Sequence, residues 1–258
     1  MKKEDIIIVN FTNVYKREHF YDKFPHTWID CRNIKGTYGY CDVQAVSQLT
    51  DRISELSPEG IHFIDSGNYH YMSKIWTDKI REPFTLVVFD HHPDMQPPLF
   101  ANLLSCGCWV KAVLDTNPYL KNVILVGADE KLLTNLEDNY KNQVHIYSQK
   151  ELLHEEGWRQ FAKEHVNEPV YISIDKDLLN EENAVTDWDQ GVFELSDLKK
   201  LLNCIISKEK VIGIDICGEC PDTLRQIGEW NNQQINDKTN GELLRFLIER
   251  KERVFIQN

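Results

Sequence analysis

Runs of apolar β-forming residues alternate along the chain with amphipathic stretches of helical period. The runs are DIIIVNF (5–11), IHFID (61–65), TLVVF (85–89), NVILVGA (122–128), VHIYS (144–148), YISID (171–175) and VIGID (211–215). Between them lie VQAVSQLTDRISEL (43–56), a helix from about His70 to Ile80, and one near 101–114. KELLHEEGWRQFAKEH (150–165), LSDLKKLLNCII (195–206) and GELLRFLIER (241–250) complete the series. Near-continuous apolar strands separated by helices imply crossover connections and a parallel sheet covered on both faces. The expected fold class is therefore α/β, a three-layer α/β/α arrangement around a mostly parallel sheet. No repeat, low-complexity tract or linker divides the chain, so one domain over 1–258 is expected.

Two loops interrupt this rhythm. Residues 30–42, DCRNIKGTYGYCD, hold two glycines and two tyrosines without clear period. Residues 179–193, LNEENAVTDWDQGVF, form a long polar loop directly after the strand run at 171–175. Long loops at a sheet's carboxyl edge often shape pockets.

Composition narrows the classes. The chain has 258 residues, 41% hydrophobic and 27% charged, with a formal net charge of −12. That balance argues against a nucleic-acid backbone or an anionic membrane as main partner. The opening MKKEDIIIVNF lacks the pattern of a signal peptide, and no stretch reaches the roughly 18 apolar residues of a membrane span. A cytoplasmic location is expected. The odd count of seven cysteines fits it, since disulfide frameworks use even numbers. Cys106 and Cys108, with Cys217 and Cys220, leave a zinc site as one alternative to small buried thiols.

The chemistry sits just past the strands. GNYHY (67–71), DHHPD (90–94), SIDKD (173–177) and DICGE (215–219) each follow an apolar run. Sites in parallel sheets form beyond the carboxyl ends of strands, so this fold gathers two histidines and four aspartates at one end. Asp90, His92 and Asp94 alternate, as do Asp175 and Asp177, so each set shares one face of an extended segment. Two like charges about 4 Å apart repel by roughly 4 kcal/mol at an effective dielectric of about 20. Bound divalent cations relieve that repulsion, and carboxylates with imidazoles suit them.

These segments resemble the ureohydrolase (arginase/agmatinase-like) superfamily, a divergent arginase-like member of it. Its blocks G-G-D-H, D-A-H-x-D and S-x-D-x-D correspond in order to GNYH, DHHPD and SIDKD. The resemblance runs from about residue 61 to DICGE and implies an arginase/deacetylase-like fold. It implies that His70, Asp90, Asp94 and Asp175 hold one metal, and His92, Asp90, Asp175 and Asp177 the other. Asp90 and Asp175 bridge them. The ions are expected to be Mn2+, with Zn2+ as the alternative. The implied activity is hydrolysis of a guanidino or amidino C–N bond by a hydroxide bridging two metals. Asp94 is expected to accept its proton, and Glu219 to hold the cationic carbon group. Gln96, Asp129, Trp188 and Asp189 are the further substrate-binding candidates. GNYH places His70 by a one-residue shift, and Glu219 is offset by one residue from the family's glutamate. LLSCGCW (103–109) puts Cys106 or Cys108 where the family carries a proton-shuttling histidine.

The expected partner is a small cationic guanidino compound or a peptide bearing one. Ureohydrolases commonly form trimers or hexamers, so a homo-oligomer is the implied assembly. Two rival readings are a zinc-dependent deacetylase-like amidohydrolase and a catalytically silent, metal-stabilised binding protein.

Overall fold

The computed structural model describes residues 5–100, 103–133, 140–221 and 229–256. Its strands are β1 (Ile6–Asn10), β2 (Thr27–Asp30), β3 (Tyr40–Cys41), β4 (Gly60–Phe63), β5 (Phe84–Phe89), β6 (Leu104–Ser105), β7 (Leu120–Val126), β8 (Val144–Tyr147), β9 (Val170–Asp175) and β10 (Val211–Cys217). The helices are α1 (Val43–Arg52), α2 (Met72–Thr77), α3 (Trp109–Thr116), α4 (Glu130–Leu133), α5 (Gln149–Leu152), α6 (Glu155–Phe161), α7 (Leu195–Ile206) and α8 (Glu229–Ile256). Eight strands form one sheet in the order β2-β1-β4-β10-β9-β5-β7-β8. Every neighbouring pair in it is parallel. β3 and β6 make a separate antiparallel pair.

Alternation along each strand feeds two cores. Ile6, Ile8, Val87, Phe89, Ile172 and Ile174 pack on one face, together with Leu198 and Leu202 of α7 and Leu243 and Leu244 of α8. Ile7, Val9, Leu86, Val88 and Tyr171 pack on the other, against Leu49 of α1, Trp76 of α2 and Trp109 of α3. This is the three-layer α/β/α fold: a fully buried strand has no polar face, so its apolar run is continuous.

Several boundaries differ from the sequence reading. β2 lies in a stretch with no apolar run, because it is an edge strand paired only with β1. The helix expected near 101–114 starts at Trp109, since Leu104–Ser105 is taken into the pair with β3 and Cys106–Cys108 forms a 3-10 turn. The helix expected over 150–165 is two, α5 and α6. They meet closely at Gly157, where a Cβ would lie 2.2 Å from the carbonyl oxygen of Glu151.

The order of strands positions the site. The chain passes from β4 to β5 across the space that β10 and β9 later fill. The four central strands are thus β4, β10, β9 and β5, and each ends in one of the four polar segments. No described helix is long and apolar enough to cross a membrane.

Candidate metal centre

Each central strand delivers its side chains through a local device. After β4, Ser66 caps a 3-10 turn by accepting the amide of Asn68 (3.1 Å), and His70 ends that turn. After β5, Asp90 Oδ1 accepts the amide of His92 at 2.6 Å, and Asp94 adopts φ 49. At the end of β9, Asp175 Oδ1 accepts the amide of Asp177 at 3.0 Å. Asp177 Oδ1 in turn accepts the amide of His91 at 3.1 Å, tying β9 to the β5 loop.

The structure brings His70, Asp90, His92, Asp94, Asp175 and Asp177 together as two overlapping groups. In the first, His70 Nδ1 lies 3.2 Å from Asp90 Oδ2, 3.0 Å from Asp94 Oδ2 and 3.5 Å from Asp175 Oδ2. In the second, His92 Nδ1 lies 2.8 Å from Asp177 Oδ2 and 3.6 Å from Asp90 Oδ1. Asp90 thus turns one oxygen to each group. All but His92 are buried.

The donors fit two divalent cations. Three carboxylate oxygens surround one imidazole nitrogen, and one N–H proton cannot bond all of them. Asp90 Oδ2 is buried and has no hydrogen-bond partner. A buried acceptor left so costs about 1–3 kcal/mol or more, which a cation removes. Burial, then the charges of Asp177 and Asp90, push the carboxyl of Asp175 up to about 7. Burial and the charge of Asp90 push Asp177 up to about 6. For His92, burial works to lower the pKa, but hydrogen bonds to Asp177 and Asp90 outweigh it and push it up to about 12. Cations are thus favoured at the position between these groups.

Supporting residues orient the donors. His70 Nε2 is 2.8 Å from Ser173 Oγ, which leaves Nδ1 towards the carboxylates. Trp109 Nε1 donates to Asp94 Oδ2 at 2.6 Å. The thiol of Cys217 donates to Asp175 Oδ2 at 3.1 Å, and groups with it and His70. Among the described residues, the groups able to hold a metal do not join the C-x-C and C-x-x-C cysteines.

The remaining candidates are placed differently from one another. Glu219 is fully buried and bonds Lys176 through Oε1, which also accepts from Asn240 Nδ2 at 2.8 Å. Its carboxylate therefore faces a lysine and not the metal centre. The residue of that strand end facing the centre is Gly218, φ 95, where a Cβ would lie 2.4 Å from Asp175 Oδ1. Gly67 does the same on the other side, its Cβ position being 2.9 Å from Asp175 Oδ2 and 3.1 Å from Trp188 Cδ1. Trp188 is 44% exposed, with its ring 5.9 Å from that of His92. Asp129 Oδ1 accepts the amide of Lys131 at 2.9 Å, the geometry of a helix start. Gln96 and Asp189 are exposed. Cys106 sits close enough to feel Asp94, His70 and Asp175; burial and Asp94 push its thiol up to about 12.

Asp187 is the site residue the sequence reading missed. Its carboxylate accepts from Ser66 Oγ at 3.1 Å and Asn68 Nδ2 at 2.6 Å, on the turn that carries His70. Its partners lie 119 and 121 positions away, so no local pattern announces it.

Comparison with known proteins agrees with this architecture. The family model described as Arginase family matches residues 10–224. An uncharacterized protein of Thermotoga maritima is 29% identical over 247 residues, 94% of this chain and 89% of that protein. Proclavaminate amidino hydrolase from Streptomyces clavuligerus shares the fold with a TM-score of 0.67 at 16% identity, over 95% of this chain and 92% of that one. Agmatine ureohydrolase of Thermoplasma volcanium does so with a TM-score of 0.65 at 16% identity, over 99% and 92%.

Proposed function

The chain belongs to the arginase family, and we propose that it is a binuclear metal hydrolase cleaving a C–N bond of a guanidino or amidino substrate. The observation that carries this reading is the convergence of six donors with Asp90 shared between two groups. Among the described residues, the four buried carboxylates there have no lysine or arginine partner; Lys176, between two of them in sequence, turns away to Glu219. The activities named for two structurally similar proteins, an amidino hydrolase and an agmatine ureohydrolase, support the substrate class. Carboxylate and imidazole donors suit Mn2+, with Zn2+ as the alternative.

When bound, the two ions lower the pKa of water from 15.7 towards about 7, which provides a nucleophile at neutral pH. Asp90 and Asp175 would be the residues shared between the two ions when these are bound. Asp94 takes the proton released as water's oxygen bonds to the planar carbon. It returns that proton to the nitrogen that leaves as the C–N bond breaks, giving a urea or amide and an amine or ammonia. Trp109 holds Asp94 in place for both transfers. Ser173 orients the ring of His70 through Nε2, the usual role of a partner behind a metal-ligating histidine. Burial and the charge of Asp94 push the thiol of Cys106 up to about 12, which disfavours a thiolate there. Trp188 stands at the opening as a wall.

The test is a screen of manganese-loaded protein for release of urea, amine or ammonia. The panel holds free arginine, agmatine, guanidino acids, formiminoglutamate and arginine-containing peptides. Turnover of at least one, abolished by chelation, is expected, with free arginine a poor substrate because Cys106 and Cys108 stand where the family carries a shuttling histidine. Fully loaded protein silent on the whole panel contradicts the reading. Amide hydrolysis with a single zinc supports the deacetylase-like alternative instead.

A further inference from the structure

A guanidinium or amidinium group entering this site needs an anionic partner that is not already a metal ligand. Four aspartates are committed to the metals. Glu219 is fully buried against Lys176 and Asn240. Asp65 is fully buried and saturated by the amides of Phe11, Thr12 and Ser66 and by the hydroxyl of Thr12. Asp129 turns to the amide of Lys131.

We propose that Asp187 is the cation-recognising residue of this site, pairing with the guanidinium or amidinium of the substrate while Trp188 covers its face. The proposal rests on the ureohydrolase-type reading of the metal centre. Ser66 and Asn68 hold the carboxylate from one side, and both flank Gly67. Gly67 in turn borders Asp175 and the ring of Trp188 at once. Asp187 is half-buried; its Oδ2 carries the short bond from Asn68, and Oδ1 accepts a longer contact of 3.3 Å from Ser66 Oγ. Gly67 and Gly218 bring backbone close against the two oxygens of Asp175, which also accept from the thiol of Cys217 and the amide of Asp177. Guanidinium groups recognise carboxylates through paired N–H donors and stack on aromatic faces.

The loop is built to hold this position. Gln190 Nε2 donates to the carbonyls of Leu179 and Ala184, both at 2.9 Å, and Gln190 Oε1 accepts the amide of Thr186 at 3.1 Å. Asn236 pairs with both backbone groups of Val185, at 2.9 and 2.8 Å. Thr186 Oγ1 donates to the carbonyl of Trp188 at 3.0 Å. The segment carrying Asp187 and Trp188 is thus pinned on both sides, and recognition needs little ordering on binding.

The experiment measures methylguanidinium binding to manganese-loaded protein by calorimetry, with metal content determined on each sample. Wild type, D187N, D187E and D189N are compared. The expected result is binding by wild type and D189N, weakening of about tenfold or more in D187N, equivalent to about 1.4 kcal/mol or more, and partial recovery in D187E, all at unchanged metal content. Equal binding by wild type and D187N overturns the proposal, as does loss of metal in D187N or absence of wild-type binding. Asp187-dependent binding with no turnover on the guanidino panel removes the hydrolase reading and keeps this one. Turnover indifferent to D187N does the reverse.

Discussion

Two clusters of buried carboxylates sit back to back at the end of β9, and they resolve their charge in opposite ways. Asp175 and Asp177 face the metal centre, while Lys176 between them faces the other side and bonds Glu219. In that second cluster Asn240 links Glu219 to Glu18, at 2.8 Å to each. Burial and the charge of Glu219 push Glu18 well above the usual carboxylate range. Lys176 thus faces two glutamates joined through Asn240, and Glu219 Oε2 and Glu18 Oε1 have no hydrogen-bond partner among the described residues. At the metal centre, burial and mutual repulsion push Asp175 and Asp177 up to about 7 and 6. Among the described residues, no lysine or arginine answers them. A buried carboxylate cluster that contains a lysine is partly neutralised from within, whereas one that faces no cation of the protein marks a place where something charged binds.

The largest expected effect comes from removing a shared ligand. Asp175→Asn should empty both metal positions, not one, and reduce turnover beyond the roughly 10²–10⁴-fold that one general acid–base group supplies. Elemental analysis checks it, and a full metal complement in that variant contradicts the assignment. Lys176→Met should act on the other cluster alone. Breaking a buried pair by removing one partner costs about 3–5 kcal/mol, so denaturant unfolding should show a loss of that order. Folded Lys176→Met protein should keep its metals. Loss of metal there would mean that the two clusters are one system.

The metal cluster was legible in the sequence and its neighbour was not. Asp90, His92, Asp94, Asp175 and Asp177 announce themselves because alternation along an extended segment is a local rule, and strand ends in a parallel sheet are fixed by apolar runs. Glu219 follows no such rule. Gly218 takes a left-handed φ of 95 just before it, which turns the glutamate into the core and leaves a hydrogen facing Asp175. A one-residue offset in the sequence thus becomes a change of partner, from a guanidinium to Lys176. Lys176 gave no signal either, since a lysine between two aspartates reads as solvated. Asp187 was invisible because its partners, Ser66 and Asn68, come from the far side of the sheet in sequence. Asp189, its exposed neighbour, looks equally plausible on paper.

The smallest expected effect is a pH step. Burial, partly offset by the hydrogen bond from Ser66 and reinforced by the charges of Asp175 and Asp65, pushes Asp187 up to about 6. Only its ionised form pairs with a cation. Methylguanidinium affinity at constant metal loading should therefore be flat above about pH 7 and fall as pH drops through about 6. D187N should lack that step; a step that persists in it assigns the titration to another group.

The most direct measurement of the account is metal stoichiometry. Protein purified with manganese and dialysed free of excess metal should retain about two ions per chain, as binuclear hydrolase sites do, and Asp90→Asn should retain close to none. A wild-type protein that holds at most one ion under manganese or zinc supplementation contradicts a shared two-metal centre built on Asp90 and Asp175.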